Sequence, residues 1–415
     1  MRSYSLVSTQ NRVESPFIIV QVGKYTFGHC AFKEDKQKLK TVFSIDYPNY
    51  MEGLSIVKTN GAINTYTLTM VYAITENDDP NMLEKVFSSV SKGRMLTLKY
   101  GDWNQPDYIY KDEEALITKV TSDIDFQASR IKYVINCTSS ALALKAGTFT
   151  FSAKKAKPSD EIVKLLNDKK YGLLSVFKGM QNSSTNSFEG FIERDDQVVQ
   201  LDEKRGVSAF DYLGYLVHCM VSLNDSSSGL KKANYFWAVY DDINNEYGGS
   251  YFRVRKVTAS TQYNISYDTY EVNVGYPSGE YITSFTIKND SSWAILYDYS
   301  EEVGQSSYQH TIGNDGSIQT THSPILSSKT LTESATTRTW WSQMTQFPIQ
   351  ATLVIKGLLR PAMLMSYVKV NSYFYGHKHV SSGLYIITRQ EDRIDGMGYK
   401  TTLSLTRVSG DTNMV

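Results

Sequence analysis

Side chains alternate between two faces from Gly61 to Ile74. Asn64, Tyr66, Leu68, Met70, Tyr72 and Ile74 share one face, and Ile63, Thr65, Thr67, Thr69 and Val71 share the other. A period of two predicts a pleated strand. Asp78-Asp79-Pro80 ends it. The Asp79 carboxylate can accept from the first amides of a helix, and proline suits the first helical position because its φ is already preset. Leu83, Val86, Phe87 and Val90 then recur at helical spacing as far as Gly93, where a left-handed residue can close the helix, and Met95 to Tyr100 is strand again. A helix that is apolar on one side must lie against the sheet its neighbouring strands make.

Around this segment, Phe17 to Gly28 reads as a hairpin turning at Gly23-Lys24, and Lys40 to Ile56 as strand broken by a loop at Pro48 and Gly53. Trp103 to Glu114 is polar and aromatic and reads as a loop. Leu116 to Thr121 and Ile131 to Cys137 close the unit across a wide turn. The expectation over residues 1–150 is a small, tail-tube-like β-barrel with one packed helix. Residues 151–232 look α-rich: Lys154 to Pro158 reads as a linker and Ser159-Asp160 as the cap of a helix bearing Ile162, Val163, Leu165 and Leu166. Ala209 to Leu223 is predicted as a second helix with Phe210, Leu213, Leu216 and Val217 on its stripe. Residues 233–415 return to strands at Tyr235 to Tyr240, Tyr251 to Thr258, Tyr270 to Gly275, Tyr281 to Ile287 and Trp293 to Tyr299. An exposed loop is expected over Gly304 to Ser328. A helix with a Thr330/Glu333 capping box follows, carrying Trp340 and Trp341, and the chain closes on strands at Ile349 to Lys356, Gly383 to Arg389 and Tyr399 to Val408. The fold class is thus mainly β with an α+β insertion: two barrels, each with a helix, flanking the α-rich middle.

The order helix, strand, long connection, strand, turn, strand occurs twice. Sliding the sequence by 270 places Ile117-Thr118-Lys119 on Ile387-Thr388-Arg389 and Ile124-Asp125 on Ile394-Asp395; farther on, Tyr133 meets Leu403, Ile135 meets Leu405 and Ser139 meets Ser409. A duplicated fold is expected.

Composition supports sheets over bundles: 30 Tyr and 17 Phe against 9 Pro in 415 residues. Lys+Arg and Asp+Glu balance at 43 each, so no net field favours wrapping nucleic acid or coating an anionic membrane. Cys30, Cys137 and Cys219 are scattered and odd in number, as expected of thiols in a reducing compartment. MRSYSLVSTQ at the start has no apolar core for a secretion signal, and no run is long enough to span a bilayer. The expectation is a chain made soluble in the cytoplasm.

Catalytic patterns are absent: no GxSxG, HExxH, Walker loop or GxGxxG occurs. His377-Lys378-His379 has the spacing of two metal ligands on a strand but no accompanying carboxylate or thiol cluster, and reads better as a solvated loop tip. His29 and Cys30 would point to opposite faces of a strand. The paired acids Asp78-Asp79, Asp195-Asp196, Asp241-Asp242 and Glu301-Glu302 read as helix caps and loop solubility. No enzyme, cofactor or metal site is expected, and Trp340-Trp341 reads as a core and interface anchor. If both are buried, each exchange for Ala is expected to cost about 3–5 kcal/mol.

Gly61 to Asp102, Ala351 to Leu364 (which keeps only the Gly and Pro of the turn usual there) and Gly383 to Val408 resemble the baseplate hub, or tail hub, proteins of tailed bacteriophages and contractile injection systems. The resemblance implies a structural virion protein with two tail-tube-like barrels per chain. As a homotrimer it would form a pseudo-sixfold ring joining the tail tube protein to the central spike protein, with tape measure protein and DNA passing through its channel. It also implies that the middle portion meets other baseplate proteins and that no membrane is involved. Interface residues would then be Trp103, Tyr108 and Tyr110 on one loop, Tyr373 and Tyr375 on the equivalent loop of the second unit, and Trp340 and Trp341. Two rival expectations are a distal tail adaptor or receptor-binding tail protein, and a tail-associated cell-wall hydrolase. With seven residues after Val408, no hydrolase domain is expected at that end.

Overall fold

The computed structural model describes residues 16–30, 47–48, 50–75, 79, 81, 85–86, 94–102, 110–181, 188–220, 222–223, 232–243, 247–257, 268–274, 282–289, 296–299, 306–312, 318–324, 349–357, 364–379, 381–396 and 398–410. The first part of the chain holds β1 (Pro16–Val22), β2 (Tyr25–Cys30), β3 (Tyr47–Pro48), β4 (Met51–Thr59), β5 (Thr65–Ala73), β6 (Met95–Asp102), β7 (Tyr110–Asp125) and β8 (Arg130–Thr138). Then come β9 (Phe149–Phe151), β10 (Lys154–Ala156), α1 (Pro158–Asn167), α2 (Leu173–Val176), β11 (Val199–Leu201), β12 (Lys204–Val207) and α3 (Ala209–Cys219). They lead into β13 (Ser222–Leu223), β14 (Lys232–Tyr240), β15 (Tyr251–Val257), β16 (Asp268–Val274), β17 (Ile282–Asn289) and β18 (Leu296–Tyr299). The last are β19 (Ser306–Ile312), β20 (Ile318–Pro324), β21 (Ile349–Lys356), β22 (Tyr367–Phe374), β23 (His377–Lys378), β24 (Gly383–Asp395) and β25 (Gly398–Gly410).

The fold is mainly β, with few helices. Its centre is one sheet of 15 strands in the order β17-β21-β25-β24-β4-β5-β8-β7-β6-β1-β2-β3, to which β16, β22 and β23 attach. This path is open, and no closed barrel forms among the described residues. Alternation explains β5 directly: Tyr66, Leu68, Met70 and Tyr72 are buried while Thr65 and Ala73 face out.

The sheet contains one strand order twice. The series β4–β5–β8–β7–β6 is antiparallel throughout, and so is β17–β21–β25–β24–β22. Bulges fall at matching places: Met51/Gly53 in β4 answers Ile282/Ser284 in β17, and Ile117/Lys119 in β7 answers Ile387/Arg389 in β24. Because bulges pin register, they also correct the expected alignment. The offset of 270 holds for β7 onto β24, but the turn between Asp125 and Arg130 is two residues longer than that between Asp395 and Gly398. Ile135 therefore answers Leu403, and Cys137 answers Leu405. A shift of two keeps every side chain on its face.

Two hydrophobic cores result. One gathers Leu54, Tyr66, Leu68, Leu98, Tyr133 and Ile135 of the first unit together with Ile394 and Tyr399 of the second. The other packs Leu165 of α1, Leu213 of α3 and Phe252 of β15 against Leu353, Ile386 and Leu403. The segments of α1, α3 and β15 thus share a core with the second series of strands.

Several expectations change. Lys154–Ala156 is a strand paired with β11, not a linker. Lys157, rather than Ser159, is the N-cap residue of α1, with Pro158 in its first turn, and the Ser159 amide donates to Asp195 Oδ1 at 3.2 Å. The second helix ends at Cys219, capped by Ser208, whose Oγ accepts from the Asp211 amide at 3.0 Å. Ser306–Ile312 and Ile318–Pro324 form a hairpin inside the stretch expected to be loop. His377–Lys378 returns as a short strand beside β22. The helix expected before Gly93 falls mostly outside the described residues; Lys85 and Val86 are helical, and Val86 is buried.

Candidate functional site

The two units meet where β24 pairs with β4, Ile394 opposite Leu54, Asp392 opposite Ile56 and Gln390 opposite Lys58. Leu54, Ile56 and Lys58 share the inward face of β4, so the alternation that buries two apolar residues also buries an ammonium. It is compensated. Lys58 pairs with Glu113 of β7, and Tyr100 OH donates to the same Glu113 Oε1 at 2.9 Å. Glu113 is wholly buried and Lys58 is 7% exposed.

Beside this pair lies Asp241, at the end of β14. Its Oδ2 accepts from Asn64 Nδ2 at 2.8 Å and Tyr66 OH at 2.9 Å, and its Oδ1 from Ser139 Oγ at 2.6 Å. Asn64 also donates to the Val239 carbonyl at 2.9 Å, and the Ile243 amide donates to the Asp112 carbonyl at 2.8 Å. On the other side Asp392 Oδ1 accepts from Thr401 Oγ1 at 2.6 Å and Tyr399 OH at 3.0 Å, and its Oδ2 from Gln390 Nε2 at 2.6 Å. Asp241 thus ties the end of β14 to the first unit, while Asp392 is held within β24 and β25 and acts on Lys58 through its charge.

The electrostatics follow from burial. Desolvation pushes the Asp241 carboxyl up to about 6, with Glu113 adding to the rise, while hydrogen bonds from Ser139 and Asn64 and the charge of Lys58 oppose it. Desolvation disfavours the Lys58 ammonium, yet the charge and hydrogen bond of Glu113, with Asp392 and Asp241 farther off, leave its pKa raised. Burial, then neighbouring carboxylates, lift the phenols of Tyr66, Tyr100 and Tyr399 far above their ordinary range. Lys58 stays charged, the tyrosines stay neutral donors, and the carboxylates are held by direct hydrogen bonds. Such an arrangement holds the end of β14 against the first unit. Asp241, Glu113 and Asp392 are each at most 2% exposed.

Asp241 overturns the reading of Asp241-Asp242 as caps and loop solubility, because its side chain is buried in the joint. A signal did exist. Asn64 and Lys58 both stand on the buried face of an alternating strand, where a polar side chain needs a buried partner. Their partners, Glu113 for Lys58 and Asp241 for Asn64, come from segments whose pairing the local pattern does not contain.

Of the expected interface residues, Tyr110 opens β7 opposite Gly101 instead of lying in a loop. Tyr373 is half-buried in β22, and Tyr375 is 71% exposed in the turn that follows. Trp103, Tyr108, Trp340 and Trp341 lie outside the described residues. The connection from β6 to β7 and that from β22 to β24 join equivalent strands, so Tyr108 and Tyr375 belong to equivalent connections. His379 Nδ1 lies 2.8 Å from Ser381 Oγ. Among the described residues no three of His, Cys, Asp and Glu are grouped to hold a metal ion. No helix among them is long and apolar enough to cross a membrane.

Neither a family model nor a curated protein sequence matches the chain. Solved structures do. The 43 kDa tail protein of prophage MuSo2 from Shewanella oneidensis is similar over 95% of this chain and 98% of its own, at 11% identity and a TM-score of 0.52. A tail protein from Neisseria meningitidis is similar over 94% and 96%, at 10% identity and a TM-score of 0.49. An Escherichia coli component of the type VI secretion system, described as similar in structure to phage T4 tail proteins, covers 87% of this chain and 75% of its own, at 7% identity and a TM-score of 0.45. The Shewanella likeness, running end to end in both chains, shows a shared fold. The resemblance to phage tail proteins read from the sequence is met at the level of the fold.

Proposed function

We propose that this chain is a structural protein of a phage-type tail and acts as the hub of its baseplate. Three copies close a ring of six equivalent β units between the tail tube and a central spike, leaving a channel for tape measure protein and DNA. The duplicated strand order carries this reading: one chain with two copies of a five-strand series, joined side by side through β24 and β4, supplies two of six positions. A threefold assembly of such chains matches a sixfold tube on one side and a threefold spike on the other. In this reading residues 1–150 and 233–415 are tail-tube-like units that complete barrel walls in the ring, and residues 151–232 face other baseplate proteins. Trp103, Tyr108 and Tyr110 of the first unit and Tyr373 and Tyr375 of the second contact neighbouring tail parts.

The buried joint suits a load-bearing role without catalysis. Asp241 ties the end of β14 to the first unit, the charge of Asp392 acts on Lys58 across the β24–β4 pairing, and the carboxylates of Asp241, Asp392 and Glu113 and the Lys58 ammonium are all buried. Electron microscopy of the purified full chain, viewed end on, tests the reading. Six lobes around an open centre with threefold differences between alternate lobes are expected. A compact single particle at every concentration, or a ring of six identical lobes each one chain in mass, contradicts it.

A further inference from the structure

The joint inside one chain is a template for a joint between chains. In β24, residues 383–386 pair with β22, and farther along residues 389–394 pair with β4. In the equivalent β7, residues 110–116 pair with β6, but among the described residues nothing pairs with the corresponding edge of 119–124. Likewise β17, the counterpart of β4, ends the sheet and pairs only with β21 among the described residues. Each unit thus has a donor strand and an acceptor strand, and one of each is used internally.

From this duplication we infer that residues 119–124 of β7 pair, antiparallel, with β17 of a second copy of this chain. The matching bulges fix the register. Leu54 answers Phe285 and Ile56 answers Ile287, so Ile124 comes opposite Phe285, Asp123 opposite Thr286, Ser122 opposite Ile287 and Thr121 opposite Lys288. Burial supports the assignment. Ile394 and Ile56, in the internal joint, are 1% and 0% exposed, whereas their counterparts Ile124 and Ile287 are 49% and 37% exposed, among the most exposed large apolar side chains described. Pairing the two edges would cover both isoleucines, one diagonal to the other. It would also place Asp123 diagonal to Lys288 on the opposite face, and would close two edges that invite uncontrolled pairing if left open. The contact is head to tail, so it generates a ring or a filament; that it closes after three copies rests on the hub reading.

The test is a cysteine pair in the full-length chain, Asp123→Cys with Thr286→Cys, under mild oxidation, beside each single variant. A control pair, Asp123→Cys with Ser284→Cys, is two residues out of register. Native Cys137 and Cys219 are buried, and the single variants report any cross-linking through native thiols. The expected result is a covalent ladder ending at trimer in the first pair, with at least ten-fold less product in the control pair and none in the single variants. Separately, Ile124→Asp, at a position 49% exposed in the single chain, is expected to abolish assembly on gel filtration while circular dichroism shows the chain still folded. A wild-type trimer whose first cysteine pair stays uncross-linked overturns the edge assignment and leaves the hub reading standing. Cross-links that run on past trimer support the edge and contradict the closed ring. A monomer without cross-links overturns both.

Discussion

Asp241 is the residue on which the joint's chemistry turns. Its carboxyl sits at about 6 in the fold against an ordinary value of 3.8. A raised carboxyl favours the folded state most when protonated, so its contribution is complete below about pH 4 and is lost as pH rises through 6. The size is about 3 kcal/mol, since each pKa unit is worth about 1.4. Asp241→Asn is expected to remove most of this slope between pH 4 and 6, measured by urea unfolding at a series of pH values; an unchanged slope would place the titration elsewhere. Lys58 gives the complementary case. Lys58→Met leaves the Glu113 carboxylate buried without its ion pair and is expected to cost about 3–5 kcal/mol, whereas adding Glu113→Gln to it should restore most of that. At this scale the sequence showed half of the site. Asn64 was legible on the buried face of its strand, and Lys58 stands on a face defined by Leu54 and Ile56, but Asp241 looked like a loop acid because its partners lie 102 to 177 residues away.

Strands were the most legible elements, because one-sided burial leaves a period of two in the letters. The hairpin of β1 and β2, the faces of β5, and β21, β24 and β25 all lie where alternation places them. What alternation lacks is information on edges and turns. Tyr110 to Glu114 looked like loop because its residues are charged and aromatic, yet Asp112 and Glu113 are buried and paired across to Lys99 and Leu98. The polar stretch holding β19 and β20 was read as loop for the same reason: a hairpin built from Ser, Thr, Gln and His carries little apolar signal. Gly357 shows a constraint on an element end. A Cβ there would fall 2.1 Å from Cγ of the Tyr399 ring, and that ring is held by its hydrogen bond to Asp392. Gly357→Ala must therefore displace the ring or the end of β21, at about 1–3 kcal/mol. Thermal melting measures it; a variant as stable as the parent would show that Tyr399 can move without loss.

On the scale of the whole molecule, a five-strand series is made twice and joined edge to edge where β24 pairs with β4, beside buried polar side chains. The sequence carried a trace of it in the repeat of Ile117-Thr118-Lys119 at Ile387-Thr388-Arg389, and missed by two the offset of the strands that follow, because a turn had been shortened. Repeats of this kind survive in face and spacing while side-chain identity drifts. Ile56 and Ile287 keep one letter, and Lys58 and Asn289 do not. The difference is physical: the inner joint is locked by charge and hydrogen bonds, while the outer edge, with Val120, Ser122 and Ile124, is neutral on its inward face and suited to pairing after the chain has folded. Native mass spectrometry of the purified full chain over a range of concentrations distinguishes a closed trimer from a monomer or a hexamer. A trimer that dissociates to monomer on dilution, with no stable dimer, is expected, since the third contact closes the ring. A chain that stays monomeric at every concentration, or one that forms a hexamer, would contradict it.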